Sequence, residues 1–301
     1  MADVPLKPGD YNLAVAGGAT TRPYVLHLPP NANAPLPLVM MLHGAGGSAS
    51  GTAEHYGWKR LADARGFIAV FPQGLPFDPT RPADFKRNPN VWDDYSGRMD
   101  MGKRPDDVGY IRAILDDVAT RYAVDRNRIY LTGFSNGASM TFRLAIELGD
   151  RLAAVAPVSG HCWHQPITLK RPVPMMFIVG TADPLNPING GLGVNPWGPR
   201  TAKPAYADSV ADWRQATGAA DTPASTQSAD GVTTMTYTGT NGCPLIYITI
   251  DGQGHEWPGA RRVLPRTLTG DNRATPDATA LIWNFFKDQT LSASPSGSTG
   301  R

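Results

Sequence analysis

The tightest constraint on this chain is a pentapeptide, Gly133-Phe134-Ser135-Asn136-Gly137, together with its flanks. An apolar run, Ile129-Tyr130-Leu131-Thr132, feeds into it, and a small-residue start, Gly137-Ala138-Ser139, leads out into a helical pattern. A strand that becomes a helix across one residue needs glycine on both sides, because a side chain there would meet the neighbouring strand or helix. The serine at the apex is then held in a strained backbone conformation with its hydroxyl lifted off the sheet. A plain corner with a capping serine is the competing reading, so the rest of the chain has to decide.

The rest of the chain alternates in the way such a turn requires. Strands are expected at 24–28, 38–42, 67–71, 129–132, 153–158, 175–179 and 245–250. Helices are expected at 58–64, after Asp106 or Asp107, at 137–148, 205–217 and 277–287. In the helix after Asp106, Val108, Ile111, Leu115, Val118 and Tyr122 recur at helical spacing, and either aspartate would cap it. The run 38–42 is continuously apolar, as a strand covered on both faces is. Strand–helix alternation predicts a mostly parallel sheet flanked by helices. The segment 76–105 is rich in Pro, Gly, Asp and Asn without a period, and is expected to be loop.

Composition excludes other classes. The 301 residues are 41% hydrophobic and 18% charged, which suits a chain with a real core. A net charge of +2, with the basic residues dispersed, argues against a nucleic-acid partner. No run approaches the roughly 18 apolar residues of a membrane span, so no membrane association is expected. We read 1–290 as a single catalytic domain and 291–301 as a flexible Ser/Gly-rich tail. Met1-Ala2-Asp3-Val4-Pro5 has neither the basic nor the apolar part of a signal peptide. The expectation is a mature secreted chain, with a cytoplasmic one as the alternative. Cys162 follows one expected strand and Cys243 precedes another, which places them at opposite ends of the sheet and predicts no bridge.

A serine at such a turn needs an acid and then a histidine, in that order, later in the chain. Asp183 stands in Gly180-Thr181-Ala182-Asp183-Pro184, directly after a strand; Asp251 is its competitor. His255 follows the late strand in Asp251-Gly252-Gln253-Gly254-His255, with glycines beside it to let the ring move. The other five histidines fit less well. His27 lies in a strand, His43 would brace a loop and His55 precedes a helix, while His161 and His164 come too early. Cys162 and the histidines beside it lack a carboxylate or second pair, so no metal is expected. Two backbone N–H groups must face the developing oxyanion. One belongs to Asn136, after the serine. The other is assigned to Ala45 in His43-Gly44-Ala45-Gly46-Gly47, where Gly44 lets the backbone approach the substrate. Gly-Lys-Ser/Thr is missing there, which argues against a phosphate loop. Trp163, after the strand that follows Ser135, and Trp257, two residues beyond His255, are expected to line the substrate site; core packing is the alternative for both.

Taken together, these stretches resemble the poly(3-hydroxybutyrate) depolymerase and feruloyl esterase family of carboxylesterases, with an α/β-hydrolase fold. The strings that carry the resemblance include Phe71-Pro72-Gln73-Gly74, Asp106-Asp107-Val108-Gly109-Tyr110-Ile111 and Gly254-His255-Glu256-Trp257-Pro258-Gly259. The resemblance implies Ser135, Asp183 and His255 as a triad and an open cleft lined by aromatic residues. Acyl transfer by such a triad requires no cofactor, and a monomer acting on a polymeric or oligomeric ester is expected. A polyester of the polyhydroxybutyrate type is the first expectation. Feruloyl or acetyl groups on plant cell-wall polysaccharide are the second, and a non-catalytic binding module on the same fold is the third. Gln253 and Glu256 depart from the family pattern and are expected to alter the rim beside the base.

Overall fold

Uninterrupted apolar strands need cover on both faces, and the centre of this fold is built from them. The computed structural model describes residues 7–17, 20–30, 35–97 and 105–291. The strands of the main sheet are β1 (Gly9–Gly17), β2 (Thr20–Leu28), β3 (Leu36–Leu42), β4 (Ile68–Pro72), β5 (Val124–Phe134), β6 (Ala154–Val158), β7 (Met175–Gly180), β8 (Ser225–Ala229), β9 (Val232–Thr238) and β10 (Pro244–Ile250). Their order across the sheet is β1-β2-β4-β3-β5-β6-β7-β10-β9-β8. The central strands β4, β3, β5, β6, β7 and β10 run parallel, and antiparallel strands close both edges. Every residue of β3, β4, β6 and β7 is buried.

Strand residues alternate between the two faces, and so do the cores. Leu38, Met40 and Leu42 pack with Ile111 of α3 (Asp107–Arg121), Phe142 of α4 (Asn136–Glu147) and Trp213 of α5 (Tyr206–Thr217). Val39 and Met41 pack on the other face with Ala53 of α1 (Ala49–His55), Trp58 of α2 (Trp58–Arg65) and Ile282 of α6 (Ala278–Phe286). The side chain of Asp106 caps α3 by accepting the Gly109 N–H, while Asp107 turns inward to a buried ion pair with Arg22 at 2.7 Å. Because the central strands are parallel, the turns after β3, β5, β6, β7 and β10 all gather at their carboxyl ends. That is where open α/β sheets bind ligands.

Several elements depart from expectation. Strand β1, helix α1 and the β8–β9 hairpin were not foreseen; His55 precedes α2, as expected, and also ends α1. The segment 76–105 is not wholly irregular: Leu75–Pro76 pairs with Asn90–Val91, and Asp84 bridges Asn88. Cys162 and Cys243 are both buried and unpaired. No helix among the described residues is long and apolar enough to cross a membrane. Of the expected tail, Leu291 donates its N–H to the Asn127 carbonyl, while residues 292–301, like 1–6, lie outside the described residues.

Candidate active site

The turn between β5 and α4 has the strain its sequence demands. Ser135 has φ 56° and ψ −119°, a region a non-glycine residue enters only when its surroundings force it. The surroundings are backbone: a Cβ on Gly133 would overlap the Gly137 carbonyl, and one on Gly137 would overlap the carbonyls of Leu42 and His43. The Ser135 N–H is tied to the Val158 carbonyl at 2.9 Å. The hydroxyl is left at the N-terminus of the twelve-residue helix α4, whose dipole favours negative charge.

Three of the expected residues meet there. His255 Nε2 lies 2.8 Å from Ser135 Oγ, and His255 Nδ1 lies 2.6 Å from Asp183 Oδ2. The other oxygen of Asp183 accepts the N–H groups of Leu185 and Asn186, both at 2.8 Å, so the acid cannot swing away. The base is fixed by its backbone: the N–H of His255 goes to Thr269 at 2.6 Å and that of Gly254 to Asp271 at 2.7 Å. Asp183 and His255 are only 4% and 5% exposed, so water competes little with these bonds. Asp251 is turned away and accepts from the Thr181 hydroxyl. Chemically, such an array can strip a proton from Ser135 while an electrophile is attacked.

The loop after β3 is held by His43. Its Nε2 accepts the Gly74 N–H at 2.9 Å, so Nδ1 carries the proton and donates to the Gly44 carbonyl at 2.7 Å. Burial holds the imidazole well below its ordinary range, down to about 4, which keeps it neutral. The Gly44 carbonyl and the Ala45 N–H share one trans peptide plane. Pinning the carbonyl towards His43 therefore turns the Ala45 N–H the opposite way, and Ala45 lines the cleft with Gly44 and Asn136.

The cleft holds about 370 Å³. Trp163 lines it, with the Lys203 ammonium 5.7 Å from its ring centre. Trp257 does not reach it. The chain doubles back after His255, and the indole is buried, stacked on Tyr56 at 5.0 Å and bonded to the Thr279 hydroxyl. Expectation is corrected for Gln253 and Glu256 as well. Both are buried behind the base: Gln253 ties together Gly254, Glu256, Asn272 and Arg273, and Glu256 accepts from Thr269. Neither touches the rim. The sequence reading missed Phe85 and Trp197, whose rings meet at 5.7 Å across the mouth of the cleft. It also missed Asn186 and Trp92. No periodic pattern marks any of them.

The esterase PHB depolymerase family matches residues 22–222, a span that includes Ser135 and Asp183. The chain belongs to this family. It is accordingly an ester-hydrolysing enzyme of the serine carboxylesterase kind. NocK of Nocardia uniformis subsp. tsuyamanensis, a protein named as an esterase, is 34% identical over 269 residues, 82% of this chain and 73% of the relative. The poly(3-hydroxybutyrate) depolymerase of Ralstonia pickettii is 26% identical over 285 residues, 86% of this chain and 54% of that enzyme. The chain thus spans about half the length of that depolymerase. An acetyl xylan esterase from Aspergillus awamori superposes with a TM-score of 0.62 at 15% identity, over 92% of this chain and 99% of its own. At that identity the likeness speaks for the fold, which is the α/β-hydrolase sheet flanked by helices.

Proposed function

We propose that this family member is a polyester depolymerase of the polyhydroxybutyrate type, working through an acyl-enzyme on Ser135. The observation that carries the reading is the unbroken chain of short bonds from Ser135 through His255 to Asp183 at the floor of an open, aromatic-rimmed cleft. His255 Nε2 takes the Ser135 proton as Oγ attacks the ester carbonyl, and Asp183 stabilises the resulting imidazolium. The N–H groups of Ala45 and Asn136 bind the oxyanion, each contributing roughly 3 kcal/mol. His255 then returns the proton to the leaving alcohol, and water attacks the acyl-enzyme with His255 again as base. Every proton in this cycle is moved by a side chain, so no cofactor takes part.

The likeness to the Ralstonia pickettii depolymerase over most of this chain supports a polyester substrate. Phe85, Trp163 and Trp197 give a second reading its footing, since such rings stack on the aromatic acyl group of a feruloyl ester on cell-wall polysaccharide. We read 1–290 as the catalytic domain and 291–301 as a tail. We also read the enzyme as a secreted monomer, because a solid polymer is met outside the cell and the cleft is complete within one chain. The test is product release from a poly(3-hydroxybutyrate) suspension and from methyl ferulate, run in parallel, with Ser135→Ala as the blank. Hydroxybutyrate that disappears in the blank is the expected result. Ferulate alone would move the reading to the cell-wall esters, and activity that survives Ser135→Ala would overturn the mechanism.

A further inference from the structure

The two N–H groups that would bind the oxyanion belong to different parts of the fold. Ala45 rides on the loop after β3, and Asn136 opens α4. A hole of this kind works only if the distance between its donors is fixed before charge develops. One short segment, residues 90–94, touches both sides. On the Ala45 side, the Gly46 N–H donates to the Asn90 carbonyl at 2.7 Å, and Asn90 Nδ2 donates to the Gly47 carbonyl at 2.9 Å. The Trp92 indole Nε1 donates to the His43 carbonyl at 2.9 Å, and its ring lies against the His43 ring with centroids 5.0 Å apart. On the Asn136 side, the Trp92 N–H donates to Asn136 Oδ1 at 2.7 Å. Asn136 Nδ2 returns a bond to the Trp92 carbonyl at 3.1 Å and a charge-assisted one to Asp94 Oδ2 at 2.6 Å.

We propose that Trp92 is a positioning residue, a bolt that sets the gap between the Ala45 and Asn136 N–H groups. This inference rests on the acyl-transfer reading above. Trp92 is fully buried and does not line the cleft, so it acts through its two neighbours and not on substrate. Its backbone grips Asn136 while its side chain grips the loop on the other side, so one residue spans the whole hole. The segment is itself anchored from behind. The Asp93 N–H donates to Asp107 at 2.8 Å, and the Asp93 carboxylate pairs with Arg143 of α4 at 2.9 Å. The bolt therefore cannot relax towards either donor without breaking buried charged contacts.

Trp92→Phe removes the indole N–H and keeps most of the ring. The expected result is a ten- to hundredfold fall in kcat on a short nitrophenyl ester, with KM within twofold. Inhibition by a trifluoromethyl ketone, whose adduct on Ser135 carries an oxyanion, should weaken by the same factor as kcat. A merely structural role would lower the melting temperature without that matched loss. Asp94→Asn, read the same way, is the second variant should Trp92→Phe fail to fold. Wild-type kcat in either folded variant, a loss carried by KM, or collapse of the fold in both would overturn the proposal. Ser135→Ala run alongside separates the two ideas. Wild-type turnover that persists without Ser135 sinks the acyl-transfer reading, whereas turnover that needs Ser135 but ignores Trp92 sinks only the bolt.

Discussion

The floor of the cleft and its rim are built on opposite plans. On the floor, Asp183, Asn136 and His43 each hold two or more hydrogen bonds, at least one of them to a distant part of the chain, and all are buried. On the rim, Phe85 is 37% exposed and is joined to Trp197 by an edge contact and one indole bond. The difference teaches that the two functions of the site are separable. Dense, dry hydrogen bonding fixes where charge moves, and sparse aromatic contacts choose what is presented to it.

The comparison breaks most sharply at Asp183. Asp183→Asn keeps an oxygen for the Leu185 and Asn186 N–H groups, so the fold should hold, but it presents an amide to His255 and spoils the tautomer. A fall in kcat of about 10⁴-fold is expected in steady-state assays. Asp251→Asn should leave kcat within about twofold, since that carboxylate is occupied by Thr181. The reverse pattern would give Asp251 the role.

Acid should destabilise the fold through two buried imidazoles, His43 under the loop after β3 and His161 at the cleft. Burial holds the rings of His43 and His161 at about 4 and about 3, below the ordinary 6.5 of the unfolded chain. As pH falls, the unfolded state takes up those protons first, so stability is lost progressively from about pH 6.5 down to the folded values. At pH 5 each histidine should cost on the order of 2 kcal/mol relative to pH 7. Buried Glu256, with its carboxyl raised by desolvation, pulls the other way. Urea midpoints at the two pH values check this, and His161→Phe should remove a large share of the slope while keeping the stack on Tyr206. Equal wild-type midpoints would refute it.

A smaller effect is expected at the rim. Trp163→Ala should raise KM for a bulky ester by about tenfold, the worth of one stacked ring, and leave a short acetyl ester nearly unchanged. Equal changes for both esters would make Trp163 a packing residue. Trp257→Phe sharpens the contrast from the other side. It should lower unfolding stability by about 1 kcal/mol through the lost bond to Thr279, with no change in KM.

Trp257 also shows where sequence reasoning runs out. The buried strands announced themselves as apolar runs, and the Ser135 turn, Asp183 and His255 followed from order and from what precedes them. Nearness to His255 in sequence does not bring Trp257 near the cleft. The bonds of Gly254 and His255 to Asp271 and Thr269 turn the chain inward just there, and those partners lie over a dozen residues away. β1 has only one covered face, with exposed residues at every second position, and β8 is exposed throughout. Neither gives the run of buried residues that marks a central strand. Phe85 and Trp197 meet across more than a hundred residues, a contact no local pattern encodes.

The two lone cysteines carry a consequence for handling and habitat. Burial pushes the Cys162 thiol up to about 12 and the Cys243 thiol up to about 11. Oxidants and alkylating reagents attack the thiolate, which neither residue supplies near neutral pH. With no bridge to reduce and both thiols buried and held protonated, neither cysteine should make the fold depend on redox potential. The same chain should keep its shape beside glutathione or in open air.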